Sequence, residues 1–65
     1  MTAEQAAQLI IGLEADFAHI LIGELGLVWR VVNVNDKAYV ITRDLKRDRV
    51  NVHIDNNQVV KAYPD

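Results

Sequence analysis

Cysteine and serine are both absent from this 65-residue chain, and glycine occurs three times and proline once. Without cysteine, disulfides and thiolate zinc sites are excluded, and the redox compartment cannot be read from thiol usage. Without serine as well, the two commonest nucleophiles are missing, and no glycine-rich phosphate loop replaces them. The two histidines, His19 and His53, lack the spacing of a metal-binding pair, so neither a metal nor another cofactor is assigned. The acids Asp44 and Asp48 lie among bases and read as solvated ion pairs. The expectation is a protein that is not an enzyme.

Bases are missing from the whole front of the chain. Glu4, Glu14, Asp16 and Glu24 precede Arg30 with no Lys or Arg among them, whereas all seven bases lie from Arg30 onward, for a net charge of −2. Arg43, Lys46, Arg47 and Arg49 are diluted by Asp44 and Asp48 and have no interleaved aromatic to stack on bases, so no nucleic-acid partner is expected. No apolar run approaches a bilayer span and no basic segment precedes one at the start. The chain is therefore expected to be soluble, with no membrane partner and no signal peptide in the sequence as given, and its compartment stays open. Residues 1–65 make one domain with a limited core.

Thr2 followed by Gln5 is a capping-box pattern that starts a helix at Ala3. Ala6, Leu9, Ile10, Leu13, Phe17, Ile20 and Leu21 draw one apolar stripe along a helical segment reaching about Glu24. Gly12 interrupts it, as one helix carrying an interior glycine or as two pieces. Gly26 is placed to end the segment in the left-handed conformation. Ile11, Ala15, Ala18 and Ile22 form a second stripe, which is either tight packing on a sheet or a surface for a homodimer.

Val28 to Val34 is rich in β-branched residues and reads as a strand, with Val32 and Val34 toward the core. Asn35, Asp36 and Lys37 form a polar turn, or the first two close a tight hairpin that would make the sheet an antiparallel meander. A further strand starts at Arg49, because Val50, Val52 and Ile54 alternate with Arg49, Asn51, His53 and Asp55. Asn56 and Asn57 turn the chain into a last strand through Val59 and Val60, which Pro64 ends. The class is α+β, a helix packed on a small β-sheet, with Val32, Val50, Val52 and Ile54 expected against Leu13, Phe17, Ile20 and Leu21.

Between Ile41 and Arg49 the residues Arg43, Asp44, Lys46, Arg47 and Asp48 are charged with only Leu45 between them, too polar for a buried strand and without the Gly or Pro of a tight turn. A charged connection that ends in a firmly buried strand is a loop on a rigid support, where binding residues tend to sit. Thr42, Asp44, Leu45, Lys46, Asp48, Arg49, Val50 and Val52 resemble the reactive-site loop and following strand of the potato inhibitor I family of serine-protease inhibitors. The likeness covers about residues 10–60, including the spacing of Gly12 and Ala18 on the helix and the run from Arg30 to Val34.

The resemblance implies an extended reactive-site-type loop joining two parallel strands. It implies inhibition by substrate-like insertion of residues 42–47 into a trypsin-like or subtilisin-like serine protease. Thr42, Arg43, Asp44, Leu45 and Lys46 would bind the protease, Arg43 would set a trypsin-like preference, and the Arg43–Asp44 bond would be the scissile one. Family members without disulfides support the loop with two Arg side chains two positions apart. Arg49 matches the first, and the second position holds Asn51, which is shorter and uncharged. The residues 33–39 also depart from the family pattern, being one longer and lacking its Pro and Gly. The alternative is a small α+β interaction or homodimerising module without inhibitory activity.

Overall fold

A computed structural model describes every residue of the chain except Arg43, so the expected specificity position lies outside the described residues. Two helices, α1 (Ala3–Ile10) and α2 (Ala15–Glu24), precede four strands, β1 (Val28–Val34), β2 (Lys37–Ala38), β3 (Arg49–Asp55) and β4 (Gln58–Pro64). The strands form one sheet in the order β2-β1-β3-β4. β1 and β3 are parallel, while β1–β2 and β3–β4 pair antiparallel. This is an α+β domain with both helices on one face of a mixed sheet.

The helix ends follow from side chains and glycines. The Thr2 hydroxyl accepts from the Gln5 N–H while the Gln5 amide oxygen accepts from the Thr2 N–H, which satisfies two of the donors that a helix start leaves open. At the other end of the pair, Gly26 adopts φ +74°. Its N–H bonds to the Gly23 carbonyl and that of Leu27 to the Ile22 carbonyl, the paired closure of a helix ending in a left-handed residue.

The helical segment breaks at Gly12, with φ +91°. The break resets the helical phase, and the core face of α2 differs from the stripe read by continuing α1. Ala15, Ala18 and Ile22 are buried, whereas Phe17 is 56% and Ile20 64% exposed. The second stripe is thus the packing face of α2, apart from Ile11, which is exposed. The four residues of the break run along the outer edge of β4. The Gly12 N–H donates to the Val59 carbonyl at 2.7 Å, the Val59 N–H to Leu13 at 2.9 Å, and the Ala15 N–H to Asn57 at 2.8 Å. Glu14 completes the junction, accepting from the Asp16 and Phe17 N–H groups and from the Asn57 side chain. These backbone donors hold the Glu14 carboxyl below its usual range.

On the sheet, Val50, Val52, Val59 and Ala62 meet Ala6, Ile10, Ala18 and Ile22 in one cluster. Trp29 and Val31 join it from β1, opposite Val50 and Val52. Val32 is buried but lies outside the cluster, because the register of β1 on β3 shifts between Val31 and Asn33. One extra residue exchanges the faces of a strand, so Val32 and Val34 do not share a side as their alternation suggested: Val34 stands opposite Ile54, which packs against the cluster, and Val32 does not. Val52→Ala should destabilise the domain by about 1–3 kcal/mol, since Val52 is fully buried and the space it leaves is bounded by both layers. An unchanged denaturation midpoint would place Val52 outside the core.

Two tight turns close the hairpins. Asn35 and Asp36 have φ of 49° and 67°, and Asn56 and Asn57 have φ of 50° and 64°, the left-handed pairs that match the strand twist. The Asn35–Asp36 hairpin therefore exists, but β2 is only two residues long and the meander does not follow. The chain leaves β2 and crosses residues 39–48 before entering β3 beside β1.

Candidate functional site

The 39–48 connection is exposed at Val40 and at Leu45, and it begins and ends on β1. The Tyr39 N–H donates to the Val32 carbonyl, and the Val28 N–H donates to the Asp48 carbonyl at 2.7 Å. Val28 and Arg30 pair with Arg49 and Asn51 in the parallel register, so these four side chains share the face turned toward the connection. The other face carries the helices. Arg49 and Asn51 are nevertheless buried, at 6% and 1% exposure, which a strand face left to solvent would not give.

What buries them is a polar cluster centred on Asp65, whose side chain is 4% exposed. Arg49 pairs with its carboxylate through Nε at 2.8 Å and through Nη2, and Arg30 Nη2 reaches the other oxygen at 3.0 Å. Asn51 Nδ2 donates to that second oxygen at 2.5 Å, and the Lys46 N–H donates to the first at 3.1 Å. Hydrogen bonds from Arg49 and then Asn51 hold the Asp65 carboxyl far below the usual carboxylate range, and Asp65 in turn raises Arg49. All buried side-chain nitrogen and oxygen atoms among the described residues have partners.

From this cluster, donors reach the connection. Arg49 Nη2 donates to the Asp44 carbonyl at 2.6 Å, and Nη1 lies 3.5 Å from the Asp44 carboxylate. Arg30 Nη1 donates to the Thr42 carbonyl at 3.3 Å. Within the connection the Thr42 hydroxyl donates to the Asp44 carboxylate, which lowers the Asp44 pKa, with Arg49 adding a weaker pull in the same direction. Leu45 and Lys46 are exposed as side chains, and Lys46 is held by its backbone alone. An open cleft of about 580 Å3 is lined by Ile41 and Leu45 from the connection, Tyr63 and Pro64 from β4, and Arg30 and Asn51 from the sheet. The connection is thus carried over the sheet on polar side chains rather than packed onto it.

Arg30 and Asp65 did not emerge from the sequence as site residues. Arg30 sat in a strand of β-branched residues, and its relation to Asn51 depends on the parallel register. Asp65 offered only a charge opposite to Arg49. Among the described residues there is no group of three or more His, Asp or Glu side chains placed to hold a metal, and no helix is long and apolar enough to cross a membrane.

A pH dependence follows. The folded-state pKa of Asp65 lies below its ordinary value of 3.8, so its contribution is complete above that value and is lost as pH falls below it toward the folded-state pKa. Asp44 and Glu14 act in the same direction. Denaturation midpoints should be flat from pH 7 to about 5 and decline below about 4. Asp65→Asn should lower the neutral midpoint and flatten the acid decline. A decline of equal slope in that variant would mean that other groups set it.

No protein-family model, curated protein or solved structure matches the chain.

Proposed function

We propose that this protein is a serine-protease inhibitor of the potato inhibitor I type, acting through residues 42–47 with a trypsin-like preference set by Arg43. The observation that carries this reading is the tether of Asp44. Arg49 holds both its carbonyl and its carboxylate, while Thr42 holds the carboxylate from the other side of position 43. A protease that attacks the 43–44 bond needs an extended segment, and one already ordered forfeits less conformational entropy on binding than a free peptide does. After acylation the new amine on Asp44 stays tied to the sheet by Arg49. It therefore remains beside the acyl-enzyme, where religation competes with hydrolysis. Exposed Leu45 is available to the cleft on the leaving-group side.

The parallel pairing of β1 with β3 also supports this reading, because it requires the intervening chain to cross from one end of the sheet to the other. The test is titration against trypsin-like, chymotrypsin-like and subtilisin-like proteases, with the product examined for cleavage after Arg43. Trypsin-like enzymes should be slowed first and the inhibitor cut slowly. No slowing of any of them at micromolar protein, or rapid cleavage like an ordinary substrate, would leave the likeness one of fold alone.

A second reading, assembly through the helical layer, is favoured by the exposure of Leu9, Phe17 and Ile20. Sedimentation on that reading gives a concentration-dependent dimer that Phe17→Glu dissociates with the fold intact. A monomer at every concentration removes it.

A further inference from the structure

We propose that Arg30 is a positioning residue for the 42–47 segment, supplying from the neighbouring strand the second cationic support that Asn51 is too short to give, with Asp65 as the anchor of both supports. This deepens the inhibitor reading and rests on it for its consequence, though not for its geometry. Arg30 stands directly opposite Asn51 in the parallel register. Its guanidinium makes three bonds in three directions: Nε to the Asn51 side-chain oxygen at 2.6 Å, Nη2 to Asp65 at 3.0 Å, and Nη1 to the Thr42 carbonyl at 3.3 Å. The planar fork fixes these directions together, which a lysine ammonium would not do. Asn51 acts as a spacer, receiving Arg30 on its oxygen and giving its amide to Asp65 at 2.5 Å.

Asp65 is what allows two guanidiniums to converge. Arg30 and Arg49 bind different oxygens of its carboxylate. Removing that charge would leave two cations facing each other with the mutual attraction gone. The brace donates to or accepts from three backbone groups of the segment, the Thr42 carbonyl, the Asp44 carbonyl and the Lys46 N–H, and Arg49 adds a longer ion pair to the Asp44 carboxylate. A brace that grips backbone constrains the path of the segment without dictating its side chains. Changes at 43 or 45 should therefore alter the target and leave the support in place.

The test uses the full chain without a protease first. Backbone 15N relaxation should give order parameters near 0.85 for residues 44–47, as in rigid structure, and Arg30→Gln should drop them below about 0.6 while Val50 and Val52 stay unchanged. Arg30→Lys, which keeps the charge and loses the fork, should fall between. The exchange variant Arg30→Asn with Asn51→Arg should restore much of the order that either single change removes. If Arg30→Gln unfolds the chain, Arg30→Lys and the exchange variant still carry the comparison. Unchanged order parameters in Arg30→Lys, or no gain in the exchange variant over the single variants, would overturn the proposal.

With a protease present, Arg30→Gln should be hydrolysed about tenfold faster than the parent, the loss of roughly one charge-assisted hydrogen bond. Equal hydrolysis, with inhibition intact, would remove Arg30 and leave the inhibitor reading standing. Loss of segment order in a protein that inhibits nothing would retain Arg30 and remove the inhibitor reading.

Discussion

Ile22→Glu should leave the chain largely unfolded in water at 25 °C. Ile22 is fully buried at the contact of α2 with the sheet, among Ile10, Val50 and Val52. The substitution removes an apolar side chain and puts a carboxyl group where no partner waits, at a cost of several kcal/mol however the group settles its protonation. A domain of this length has about 3–10 kcal/mol in total at the usual 0.05–0.15 kcal/mol per residue. Phe17→Glu, on the exposed side of the same helix, should fold normally. Circular dichroism and the dispersion of amide resonances separate the two outcomes. A folded Ile22→Glu would mean that α2 is turned about its axis.

The second large effect concerns recognition. If the protein inhibits as proposed, Arg43→Leu should reverse the order of preference, from trypsin-like toward chymotrypsin-like enzymes, with the midpoint of unfolding unchanged. A guanidinium suits a pocket floored by an acid, and in an apolar slot its charge would be buried unpaired. Arg49→Ala should act differently, hastening cleavage at the 43–44 bond by about 10–100-fold with all targets, because Asp44 loses tethers of the charge-assisted kind. It should also loosen the fold, since Asp65 is left with Arg30 as its one cationic partner in the cluster. Inhibition constants and cleavage rates measured on the same samples distinguish a change of target from a change of stiffness. If Arg43→Leu leaves the order of targets as it was, position 43 does not read specificity.

Features set by neighbours in sequence were legible before the fold was known. The Thr2–Gln5 cap, the left-handed close at Gly26 and the Asn56–Asn57 turn all rest on contacts within a few residues, and the start of β3 at Arg49 showed in the period of two along the strand itself. The phase of α2 was not legible, because Gly12 permits many directions and the one taken is fixed by pairing with Val59. Val32 and Val34 misled as a pair for a similar reason: the shift in register that puts them on different faces is a property of two strands together. At the site, alternation put Arg49 and Asn51 on the face away from Val50 and Val52, and the resemblance alone suggested them as supports. Arg30 and Asp65 were not legible, since the contacts that matter cross between strands β1 and β3 or bring residue 65 back to residue 49.

The backbone of residues 12–15 lying along β4 has a bearing on how the molecule behaves in crowded solution. β4 is an outer strand of the sheet, and an outer strand presents free N–H and C=O groups that invite a strand from another molecule. Here the Val59 N–H and C=O and the Asn57 C=O are already taken by the chain's own interhelical link. The opposite border, β2, is two residues long and begins with Lys37, and it offers a stranger little to pair with. A small sheet with so many valines would otherwise be prone to stacking edge to edge into aggregates. Opening the Gly12 link, as a bulky residue forced into φ +91° would do, should therefore show itself as a tendency to form fibrils in addition to a lower melting point.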